Sequence, residues 1–120
     1  MEAGVTIVFY LQASGRSPVE EFIDALPEKD QAKIAWTIDL LTKHGMNLPQ
    51  PYLKRLAGTK NLWELRIAFG GKAYRIFLSP IPPKRNILLH AIVKKKQKTP
   101  TKDIETAENR LHDFLKRSIA

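Results

Sequence analysis

The chain has 120 residues, 43% of them hydrophobic and 27% charged, with a formal charge of +8 and no cysteine. That length suits one domain, here residues 1–120, able to bury roughly two thirds of its unfolded surface around one core. The composition excludes disulfides, thiolate zinc sites and a membrane-crossing segment. The start, MEAGVTIVFYLQ, lacks the features of a secretory leader, so a cytoplasmic protein with no membrane partner is expected.

Residues 5–11, VTIVFYL, are β-branched and aromatic and read as a strand. Ser17, Pro18 and Glu20 then form a capping-box signature for a short helix carrying Val19, Phe22, Ile23 and Leu26. A second helix from Glu28 to about His44 presents Ile34, Ile38 and Leu41, widened by Trp36 and Leu40, and stops at Gly45. Pro49, Pro51 and Gly58 mark a connection with one extended piece around Tyr52 to Leu56. Residues 62–77, LWELRIAFGGKAYRIF, alternate as two strands about Gly70-Gly71. One face then holds Trp63, Leu65, Ile67, Tyr74, Ile76 and Leu78, and the other Glu64, Arg66, Arg75 and Phe77. After the stiff loop 80–85, residues 86–93 are apolar on both faces except at His90, the pattern of a strand covered on both sides. Thr99-Pro100 open a last helix with Ile104, Ala107, Leu111 and Phe114 or Leu115 on one stripe. The fold class is α+β, in the order β-α-α-β-β-β-α, with a small, mostly antiparallel sheet packed by a helical hairpin and a closing helix.

Charge is unevenly spread. Residues 1–49 hold four Lys/Arg against seven Asp/Glu, residues 50–100 hold twelve against one, and the last twenty residues balance. Such asymmetry favours a polyanionic partner. In a tight hairpin Arg66 lies directly opposite Arg75, although facing like charges cost roughly 0.2–1 kcal/mol. Two guanidinium forks beside Lys94, Lys95, Lys96 and Lys98 make a candidate phosphate site, which Lys54 extends. Alternatively, Glu64 neutralises part of the pair on an ordinary solvated face. His90 shares strand parity with Lys94 and is a candidate acid or base. The three dispersed histidines form no recognisable metal site, and motifs for acyl transfer, NTP hydrolysis and dinucleotide binding are absent from the sequence.

The segments LKRLAGTKNLWELRI, GGKAYRIF and LLHAIVKKKQKTPTKDIETAENR closely resemble the HigB-like, phage-related branch of the RelE/ParE toxin superfamily. The resemblance implies the RelE/ParE-like fold and the toxin of a type II toxin-antitoxin pair, bound by a cognate antitoxin with a helix-turn-helix domain. It further implies a ribosome-dependent endoribonuclease that cuts mRNA without a metal or other cofactor, the ribose 2′-hydroxyl attacking the adjacent phosphate. By this resemblance Arg75 stabilises the transition-state phosphate and Arg66 is its basic neighbour. Lys94, Lys95, Lys96 and Lys98 match the family's basic segment and contact mRNA and ribosomal RNA. No aromatic or imidazole group lies between Ala91 and Arg110, where some relatives carry one, so proton transfer falls to a lysine such as Lys96 or to His90, and Glu64 is either a carboxylate of the site or only an electrostatic partner. Two alternatives stay open: a ParE-like inhibitor of DNA gyrase without nuclease activity, and an inactive relative that binds antitoxin or nucleic acid.

Overall fold

A computed structural model describes residues 4–94 and 99–119. Strand β1 (Thr6–Phe9) leads into helices α1 (Pro18–Asp24) and α2 (Glu28–His44) and a 3-10 turn (Gly45–Asn47). Strands β2 (Leu53–Arg55), β3 (Trp63–Phe69), β4 (Lys72–Ile81) and β5 (Arg85–Lys94) follow, and helix α3 (Thr101–Ile119) closes the order. The extended piece expected near Tyr52 is thus a true strand, giving an α+β fold with five strands in the order β1-β5-β4-β3-β2. Only the β1–β5 pairing is parallel among the paired strands.

The hairpin turns at Gly70 and Gly71, whose φ values of 58° and 78° are those a two-residue turn requires. This fixes the register that sets Arg66 against Arg75. In β5 the pairing slips once, from Leu78 opposite Leu88 to Phe77 opposite His90, so Leu89 is an extra residue. The bulge leaves Leu89 and His90 on the same side of the sheet.

Both sheet faces are covered, so the single core expected from chain length divides in two. On one face Leu65, Ile67, Tyr74, Ile76 and Leu78 pack with Val19, Ile34 and Leu41 of α1 and α2. On the other, Phe77, Ile87 and Leu89 pack with Tyr10, Leu62 and Ala107, flanked by Ile104, Leu111 and Phe114 of α3. Tyr74 also donates a hydrogen bond to Asp30, which pairs with Lys72 at 2.7 Å and so ties α2 to β4.

Three local expectations need correction. The Ser17 hydroxyl is buried with no hydrogen-bond partner and does not cap α1; instead Arg16 pairs with Glu21 at 2.6 Å. Trp36 faces outward, 48% exposed under the Lys33 ammonium group, while Thr37 takes the buried position and bonds the Lys33 carbonyl. Thr99 does not cap α3 either, because its hydroxyl is engaged by a side chain on β3. Among the described residues, no helix is long and apolar enough to cross a membrane.

Candidate functional site: a cation cluster around Glu64

Strand alternation brings Lys54, Glu64, Arg66, Arg75 and Lys94 to the face covered by α3. Lys54 lies opposite Glu64, Arg66 opposite Arg75, and Arg75 is flanked by Ile92, two residues before Lys94. Glu64 is the centre. Its side chain is 1% exposed, and its Oε1 accepts a hydrogen bond from Arg66 Nε at 3.0 Å. Arg75 Nε approaches the same oxygen at 3.3 Å but is too poorly aligned to make a hydrogen bond, so this buried donor has no partner. The other oxygen, Oε2, accepts from the Thr99 hydroxyl at 3.0 Å, and Thr99 accepts in turn from Lys94 Nζ at 3.3 Å.

Four cations therefore surround one carboxylate, and the excess positive charge has physical effects. Burial holds the Arg75 guanidinium below its ordinary pKa, with Glu64 opposing that shift and Arg66 adding to it. Burial likewise lowers Lys94, reinforced by Arg75, Arg66 and Lys54 and opposed by Glu64. The face is not the ordinary solvated surface of the alternative reading, since the side chains of Arg75 and Arg66 are only 15% and 27% exposed. The arrangement can hold an oxyanion: arginine forks supply planar donors, and Glu64 fixes their orientation without cancelling their charge.

His90 belongs to a neighbouring group. Its ring stacks on Phe77, with centroids 5.7 Å apart, and its Nε2 lies 2.7 Å from Asp103 Oδ1. Arg110 Nη1 lies 3.2 Å from Nδ1 and also donates to the Leu89 carbonyl at 2.9 Å. A guanidinium can only donate, so Nδ1 accepts and Nε2 carries the proton given to Asp103. Both ring nitrogens thus hold α3 against β5. Lys95, Lys96 and Lys98 lie outside the described residues.

Sequence reasoning missed Thr99, Asp103 and Arg110, and it left open whether Glu64 is a carboxylate of the site or only an electrostatic partner. One signal did point to Glu64: it is the single acid among residues 50–100. Thr99 reads as a helix cap, and nothing local distinguishes Asp103 or Arg110 from the surface charges of an amphipathic helix.

A family model described as "Phage derived protein Gp49-like (DUF891)" matches residues 21–112, more than half of the chain. The chain belongs to this Gp49-like family. The matched stretch contains every residue of the cation cluster and of the His90 group. No curated protein matches this Gp49-like chain.

Proposed function

We propose that this Gp49-like protein is the toxin of a type II toxin-antitoxin pair, of the HigB-like RelE/ParE kind, and that it cuts mRNA on the ribosome. The convergence of Arg66 and Arg75 on one buried carboxylate oxygen, beside Lys94 and Lys54, is the observation that carries this reading. In the reaction the ribose 2′-oxygen bonds to phosphorus while the bond from phosphorus to the 5′-oxygen breaks. One proton leaves the 2′-hydroxyl and one is delivered to the 5′-oxygen, giving a cyclic phosphate and a 5′-hydroxyl, with no metal in the scheme. Arg75 and Arg66 meet the charge that develops on the phosphate oxygens. Proton transfer is assigned to Lys94, whose lowered pKa and bond to Thr99 suit it, rather than to His90, whose two ring nitrogens are taken. Messenger and ribosomal RNA are the nucleic-acid partners in this reading, and a cognate antitoxin is the protein partner.

The test is induction of the protein without an antitoxin, followed by mapping of RNA ends. Cuts inside translated frames are expected, and Arg75→Ala should reduce cutting by about 10²–10³-fold while the protein stays folded. Intact mRNA with accumulating DNA breaks would overturn the nuclease reading in favour of gyrase inhibition. Harmless expression of folded protein would overturn it in favour of a binding module.

A further inference from the structure

We propose that the outer edge of β5, from Ala91 to Val93, takes an extended segment of another protein as a sixth strand, with a carboxylate side chain of that segment seated on Arg110. This inference goes beyond the nuclease reading and does not depend on RNA being cut.

The edge follows from the unequal lengths of two strands. β1 accompanies β5 only from Arg85 to Leu88, whereas β5 continues to Lys94. The Leu88 carbonyl accepts from the Tyr10 N–H, so Leu88 directs its backbone groups toward β1. The bulge then repeats the inward orientation at Leu89 and His90, and alternation resumes from there. The N–H and C=O of Ala91 and Val93 consequently point away from β4, and among the described residues no backbone group outside the sheet bonds to them. Val93 is exposed at 37%, whereas Ala91 is 8% exposed with its side chain in the core, so Val93 is the more accessible part of the edge. An unpaired edge bearing exposed apolar surface is a template for strand addition.

The chemistry of the partner follows from what stands beside that edge. A cavity of about 390 Å³ opens there, lined by Gln12, Arg16, Phe22, His90, Ala91 and Arg110 among others. Arg16 already has its counterion in Glu21. Arg110 has none: among the described residues no carboxylate lies within salt-bridge distance of it. Its contacts are the Leu89 carbonyl, His90 Nδ1 and the Tyr10 ring, 5.9 Å from the guanidinium carbon. Burial lowers the pKa of this arginine, consistent with a cation short of compensation. A second copy of the chain would bring another Arg110 and Lys94 to the same edge, and like charges reject it. An acidic extended segment satisfies the edge, the cavity and the cation together.

The test is a titration of the full chain, with backbone amide signals followed by NMR, using a capped peptide of alternating glutamate and valine. Glutamine–valine and lysine–valine peptides serve as controls. The acidic peptide should shift and protect the Ala91 and Val93 amides and bind about tenfold more tightly than the glutamine peptide, with the lysine peptide weaker still. Arg110→Gln should reduce the preference for glutamate over glutamine to within about twofold. Because that variant also alters a contact to α3, an N-methylated acidic peptide provides a control on the ligand side and should lose binding to the unaltered protein. Equal binding of all three peptides, shifts confined to Lys54 and Arg66, or no shift at millimolar peptide would each overturn the proposal.

Discussion

At the residue scale, Glu64 governs the behaviour of its neighbours. Removing only its charge leaves Arg66 and Arg75 facing each other in a mostly buried place. Glu64→Gln should therefore cost about 3 kcal/mol, toward the low end for a broken buried pair because both guanidinium groups keep some contact with water. Urea unfolding measures this loss, and added inorganic phosphate should restore part of it by supplying the missing anion. Lys94 gives a pH signature. Its charge is penalised by burial in the folded state and not in the unfolded one. The penalty is complete below the depressed folded value, where both states are protonated, and is relieved as pH rises from that value toward the ordinary lysine value. Lys94→Met should thus be more stable than the parent at neutral pH, with an advantage that shrinks as the buffer becomes alkaline, as thermal unfolding across pH would show. Much of this was legible beforehand, since the opposed arginines follow from a two-residue turn and a period of two. Burial was not, because a strand of mixed Glu, Arg and Phe reads as solvated until a helix is known to cover it.

At the element scale, the helices are held by polar contacts that sequence patterns reveal poorly. Apolar spacing located α1, α2 and α3, but Thr37 and not Trp36 is buried, because Thr37 bonds its own helix at the Lys33 carbonyl and can be buried without cost to its hydroxyl. Asp30 shows the same limit. Its carboxylate accepts from Lys72 and Tyr74, and those bonds hold its pKa below the usual range. A depressed carboxylate contributes stability above its unfolded pKa and loses that contribution as pH falls through the folded value. Asp30→Asn should be less stable than the parent at neutral pH, and the difference should close in acid, which an acid titration of unfolding midpoints can follow. The bulge at Leu89 is another feature the sequence conceals. The run Ile87-Leu88-Leu89 carries no mark of which residue is doubled, although the slip sets the facing of β5 on either side of it.

At the scale of the whole molecule, charge separates along the chain as the sheet separates in space. The acidic half builds β1, α1 and α2, and the basic middle builds the strands that carry the cluster. Lys54, Arg66, Arg75 and Lys94 less Glu64 leave three net positive charges for a polyanion to neutralise. Binding of single-stranded RNA should weaken with salt along a log–log slope of about −2, and Lys54→Gln should flatten it by about 0.7, as fluorescence anisotropy at several salt concentrations would establish.

The parallel contact of β1 with β5 has a consequence for manufacture. Among the described strands Thr6–Phe9 is made before its neighbour, which arrives only with residues 85–88. Until those residues are made, the nascent chain carries an orphan apolar ribbon, and the sheet closes late.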